Sequence, residues 1–173
     1  MKHICVYAAS SDAVDEEYKE AARRTGELIG RRGATLVYGA GKIGLMGECA
    51  RAVHAHGGRV VGVIPDRLVD MELEYREADE LIVTETMHDR KVIMGSRADA
   101  FIALPGSFGT LEEIMEVLTL KQLGYHAKPC AFINTRGFYD WLFAFFGTLV
   151  CENFLKEASL DMFAVCATPE AAL

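Results

Sequence analysis

Residues 35–47 read Thr-Leu-Val-Tyr-Gly-Ala-Gly-Lys-Ile-Gly-Leu-Met-Gly. A short run apolar at consecutive positions, Leu36, Val37 and Tyr38, suits a strand covered on both faces. It breaks into a glycine turn and then into an amphipathic stretch from Leu45. Gly39, Gly41 and Gly44 satisfy G-x-G-x-x-G, a spacing whose missing side chains let backbone N–H groups approach a phosphate. Working outward, the same unit recurs along the chain. Short apolar or β-branched runs stand at 4–8, 35–38, 59–64, 80–84, 100–104, 130–134 and 162–166. Helical segments begin near Asp15, Leu45, Met87, Gly109 and Tyr139, the first carrying Ala21, Ala22, Thr25, Leu28 and Ile29 on one face. This alternation predicts an α/β, doubly wound, mostly parallel Rossmann-like sheet of about seven strands. A length of 173 residues fits one nucleotide-binding domain over 1–173 and no second substrate domain. The longest irregular stretch, 65–79, reads as a mobile or ligand-covering loop.

Composition narrows the partners. Hydrophobic residues at 51% and a mean hydropathy of +0.14 supply a core and exclude wholesale disorder. Eighteen Lys and Arg against 25 Asp and Glu give a formal charge of −7, the wrong sign for a nucleic-acid surface. One small anion at a helix start remains compatible with that charge. The longest apolar stretch, 141–151, is short of the ~20 residues of a membrane span, and residues 1–10 lack a leader's cleavage site, so no membrane partner is expected. Five scattered cysteines form no CxxC pair, which suits a reducing, cytoplasmic setting. His3, His54, His56, His88 and His126 form no carboxylate-supported cluster in sequence, so no metal and no cofactor is expected. The aromatic segment around Tyr139, Trp141, Phe143, Phe145 and Phe146 reads as a helix buried between the sheet and another element, with a subunit contact as the alternative.

In a doubly wound sheet the ligand crevice lies at the carboxyl ends of the strands. After the first strand, Ala8-Ala9-Ser10-Ser11-Asp12 offers hydroxyls for a phosphate or ribose, Ser10 foremost, or simply a helix cap. After the fourth, Met87-His88-Asp89-Arg90-Lys91 opens a helix with two cations, poorly placed against the macrodipole unless an anion lies beside them. After the fifth, Pro105-Gly106-Ser107-Phe108-Gly109-Thr110-Leu111-Glu112-Glu113 is a glycine loop whose first free amides and Thr110 hydroxyl suit a phosphate. The same residues also form a T-x-x-E capping box, in which Glu113 would only satisfy the Thr110 amide.

Together these motifs, in this order and spacing, resemble the LONELY GUY-type phosphoribohydrolases, long labelled lysine decarboxylases; the likeness runs from about Ile4 to beyond Pro129. The resemblance implies a dimeric Rossmann-like enzyme that hydrolyses the N-glycosidic bond of nucleoside 5'-monophosphates, often N6-substituted adenine nucleotides, releasing base and ribose 5-phosphate. It places the catalytic arginine and glutamate on Arg90 and Glu113 and the phosphate loop on Gly106, Gly109 and Thr110. Ser10, Gly39, Gly41, Gly44, Met87, Lys91 and Ser107 complete the expected binding set. Three positions depart from the family's glycines: Ala9, Ala40 and Ser107, the last being the most consequential if its φ is positive. Other classes weigh less. A non-hydrolysing nucleotide or pterin carrier of the same fold is the alternative reading. An NAD oxidoreductase is disfavoured by length and by Pro65 preceding Asp66 at the end of the third strand, and a pyridoxal-phosphate decarboxylase by the lack of a lysine in a Schiff-base context.

Overall fold

Consecutive apolar residues bury a strand on both sides, and the strands of this protein follow that rule from the centre of the sheet outward. The computed structural model describes residues 2–69, 71 and 73–173. Seven strands pair in parallel: β1 (His3–Tyr7), β2 (Thr35–Tyr38), β3 (Arg59–Pro65), β4 (Glu80–Thr84), β5 (Ala100–Ala103), β6 (Cys130–Ile133) and β7 (Ala164–Cys166). Their order across the sheet is β4-β3-β2-β1-β5-β6-β7. β5 and β6 are buried at every position, whereas β4, at the edge, alternates and leaves Leu81 and Val83 exposed.

Helices cover both faces. Those with their ranges are α1 (Glu16–Arg31), α2 (Gly44–Ala55), α3 (Asp66–Val69), α4 (Met87–Arg97), α5 (Phe108–Gln122), α6 (Asp140–Cys151) and α7 (Pro169–Ala172). On one face Ala21, Ala22 and Ile29 of α1 and Leu45, Cys49 and Val53 of α2 pack on Ile4, Val6 and Leu36. On the other, Met94 of α4 and Ile114 and Val117 of α5 pack on Cys5, Tyr7, Val37 and Phe101. The N-terminus of α1 is fixed by Asp15, whose carboxylate accepts from the Glu17 amide at 3.2 Å.

The chain steps outward from β1 to β4, then returns to the opposite flank of β1 for β5. That reversal between β1 and β5 is where a doubly wound sheet opens a crevice. The strand-end loops there are stitched through one residue: the Ala9 amide donates to the Pro105 carbonyl at 3.3 Å, and the Met46 amide donates to the Ala9 carbonyl at 3.2 Å.

Three expectations need correction. The 65–79 stretch is not irregular throughout: it contains α3, and the Tyr75 amide donates to the Ala40 carbonyl at 2.7 Å while the Lys42 amide donates to the Leu73 carbonyl at 3.0 Å, clipping the segment onto the Gly39 turn. Asp70 and Glu72 of that stretch lie outside the described residues. The aromatic helix α6 is not buried all round, since Phe143 and Phe146 turn inward while Trp141 is 87% exposed. The run at 162–166 yields a strand only from Ala164, because Met162 closes a 3-10 turn, Glu157–Met162.

Candidate active site

α4 begins under a hydroxyl cap. The Thr86 side chain accepts from the Asp89 amide at 3.0 Å and donates to the Asp89 carboxylate at 2.6 Å, so an acid, not a cation, meets the helix start. One residue on, Arg90 turns inward and is 6% exposed. Its Nε donates to the Val63 carbonyl at 3.1 Å and its Nη1 to Glu113 Oε1 at 2.6 Å. Glu113, on the second turn of α5, is 7% exposed. Burial pushes its carboxyl above the ordinary 4.5, against the opposing pull of Arg90. An ion pair removed from water in this way survives because each charge is hydrogen-bonded by the other. Beneath it, burial drives the Cys5 thiol up to about 12 and the Tyr7 hydroxyl well above its usual value, so the floor of the site is neutral.

The glycine loop decides the contest over Glu113. α5 starts at Phe108 with Ser107 as the residue before it, which makes Thr110 the third helical residue. A capping box needs Thr110 outside the helix, so that reading is excluded, and Glu113 faces Arg90 instead. The Ser107 hydroxyl makes no capping bond, leaving the first amides of α5 and this hydroxyl available to a ligand. Gly106 is needed for contact, since a Cβ there would overlap the Thr110 hydroxyl and lie 2.5 Å from its Cβ.

The concern over positive φ moves to a different residue. Ser107 has φ −102, which any residue adopts, whereas Ala40 has φ +59. Ala40 is fully buried, its methyl seated over Gly62.

The remaining expected residues divide. Gly39 packs against the Arg90 guanidinium, Gly41 against Met46, and Gly44, at φ +62, against the Ser10–Ser11 backbone. Ser10 lines a cavity of about 250 Å³ at the strand reversal, with Ser11, Gly106, Ser107, Tyr18 and Phe138. Gly109 has open space beside it, and Met87 is exposed. Lys91 points along the outer flank of α5, where it pairs with Glu112 and, at 3.0 Å, with Glu116. Sequence reasoning missed the Val63 carbonyl, which no side-chain pattern announces. It also missed His54, which folding brings within 3.0 Å of both Tyr75 and Asp79. Among the described residues, no group of three His, Cys, Asp or Glu could hold a metal ion.

The strand order and the reversal beside β1 define a Rossmann-like α/β protein, and solved structures share that fold. The Moco carrier protein from Chlamydomonas reinhardtii matches with a TM-score of 0.74 at 23% identity over 98% of this chain and 92% of that one. The molybdenum cofactor binding protein from Rippkaea orientalis matches at 0.71 and 21%, over 97% and 89%. At such identities the likeness is one of fold. Sequence carries further: residues 46–173 match the family model described as possible lysine decarboxylase. A probable cytokinin riboside 5'-monophosphate phosphoribohydrolase of Oryza sativa subsp. japonica is 43% identical over 94% of this chain and 71% of its own. A cytokinin riboside 5'-monophosphate phosphoribohydrolase of Arabidopsis thaliana is 44% identical over 91% and 74%. The chain belongs to the LONELY GUY family of phosphoribohydrolases, the family that carries the older lysine decarboxylase label.

Proposed function

We propose that this protein is an enzyme that hydrolyses the N-glycosidic bond of nucleoside 5'-monophosphates, taking N6-substituted adenine nucleotides, and AMP itself, to free base and ribose 5-phosphate. The observation that carries the reading is the buried Arg90–Glu113 pair one helical turn below the open start of α5. A phosphate held by the amides at Ser107 to Thr110, with the Thr110 and Ser107 hydroxyls, sets the ribose over Glu113. As the bond from C1' to the base nitrogen lengthens, positive charge grows on the sugar, and the Glu113 carboxylate faces it. Water attacks C1', its proton passes to Glu113, the bonding electrons leave with the base nitrogen, and that nitrogen takes up the proton. Arg90 orients the carboxylate through Nη1 and offers its remaining nitrogen to a ribose or phosphate oxygen.

The whole chain serves as one nucleotide-binding domain in this reading. A second copy of the chain covers the exposed Leu81, Val83, Met87, Val92, Phe108 and Leu120 of β4, α4 and α5, which makes the working unit a homodimer. Among the described residues no helix is long and apolar enough to cross a membrane, and the unpaired thiols suit the cytoplasm as its compartment. Incubation with AMP followed by chromatography tests the reaction. Adenine and ribose 5-phosphate in equal amounts are expected; binding of AMP with no release of base would overturn the reading in favour of a carrier.

A further inference from the structure

The first glycine of a G-x-G-x-x-G turn is ordinarily read as a place where backbone nears a phosphate. In this protein the space beside Gly39 is filled from within. A Cβ on Gly39 would overlap Arg90 Nη2 and lie 3.1 Å from Cζ, with Met46 Sδ 3.4 Å away on the other flank. Gly39 is not among the glycines with positive φ, so its backbone suits any residue and the obstruction is steric alone. The guanidinium cannot retreat from an added methyl without loss, because Nε is committed to the Val63 carbonyl and Nη1 to Glu113. Nη2, the nitrogen nearest Gly39, has no hydrogen-bond partner among the described residues.

We propose that Gly39 is a positioning residue for the Arg90–Glu113 pair: the missing side chain is the seat of the Arg90 guanidinium and keeps Nη2 open to the substrate. A methyl at this position pushes the fork off either Glu113 or the Val63 carbonyl, and shields Nη2 as well. The kinetic part of this proposal rests on the phosphoribohydrolase reading; the steric part rests on geometry alone.

The experiment is a double-mutant cycle of Gly39→Ala and Arg90→Met, read by melting temperature and by kcat and KM on AMP. Methionine fills the stem of the arginine but removes the fork. Gly39→Ala alone is expected to lower the melting temperature, and to lower kcat by ~10²-fold with any rise in KM smaller than the fall in kcat, as for a group displaced from the transition state. In the Arg90→Met background the same substitution should cost neither melting temperature nor further turnover. An equal loss of melting temperature in both backgrounds would overturn the proposal, as would a raised KM with kcat unchanged, which would put Gly39 against the substrate. If Gly39→Ala alone is insoluble, recovery of soluble protein by Arg90→Met supports the seat and continued insolubility refutes it. A wild-type protein inactive on every nucleoside monophosphate would sink the functional reading, and the melting-temperature cycle would still decide the steric one.

Discussion

Glu113 reaches across to Arg90, on a different helix, and not back to the amide of Thr110 three residues earlier on its own. The distinction separates chemistry from capping. Glu113→Gln keeps a carbonyl oxygen for Arg90 but removes the charge that faces the developing cation. Single-turnover hydrolysis of AMP should fall by ~10²-fold or more with nucleotide affinity little changed, while the melting temperature drops because the buried Arg90 charge loses its counter-charge. A rate near that of the wild type would remove Glu113 from the reaction.

The acid side of the pH profile follows from burial. In the proposed reaction Glu113 must be ionised to accept the water's proton, and burial holds its carboxyl pKa above 4.5, so kcat/KM should fall with decreasing pH at a midpoint above that value. The stability effect has the opposite sense. Between 4.5 and its raised native value Glu113 holds a proton in the folded protein that the unfolded chain has released, so its contribution to stability falls as pH rises through that window. Melting temperature against pH should therefore decline less across the window in Glu113→Gln than in the wild type.

In the proposed reaction the phosphate is held at the start of α5, which makes the 5'-phosphate a condition of turnover. AMP should release adenine while adenosine stays intact under the same conditions. Comparable release from both would show that the loop does not hold a phosphate.

Ala40 and Gly62 should behave as one unit. A Cβ on Gly62 would lie 2.7 Å from the Ala40 methyl, so Gly62→Ala should destabilise by about 1–3 kcal/mol in chemical denaturation. Adding Ala40→Gly should recover most of that loss. Alone, Ala40→Gly relieves about 1–2 kcal/mol of left-handed strain and gives up a buried methyl and chain rigidity of similar worth, so its net effect should stay within about 1 kcal/mol.

The apolar face of α4 and α5 predicts a dimeric mass by light scattering at micromolar concentration. Val92→Glu, at a position 55% exposed, should shift that mass to the monomer without lowering the melting temperature of the subunit by more than a few degrees. A monomeric wild type would leave the face without the proposed partner.

Much of this was legible in the chain. The buried strands declared themselves by unbroken apolar runs such as Cys130 to Ile133, and the five helix starts read from the chain fell within a residue of the observed ones, while the short α3 and α7 were not read. Arg90 and Glu113 could be named because their motifs resemble the family's; the chemistry of the two strand-end loops alone left a solvated basic pair and a capping box equally open. Their meeting depends on the reversal that sets β5 beside β1. The role of Gly39 was hidden: a glycine shows that something lies close, and only the fold shows that it is an arginine. The sites of strain were hidden too. Ser107 drew attention by replacing a glycine, yet the positive φ belongs to Ala40, because φ is set by how the turn closes and not by which residue is unusual.

The stitching at Ala9 has its own consequence. Both of its bonds run through the main chain, the amide to Pro105 and the carbonyl from Met46, and its side chain takes no part in either. A position of this kind is strict in backbone: side chains that still pack beside the core can occupy it, but proline, which lacks the N–H, cannot hold the first loop to the fifth. The mouth of the crevice can thus drift in shape and polarity over successive substitutions while its hinge stays the same, which gives one scaffold room to explore new ligands without first losing its fold.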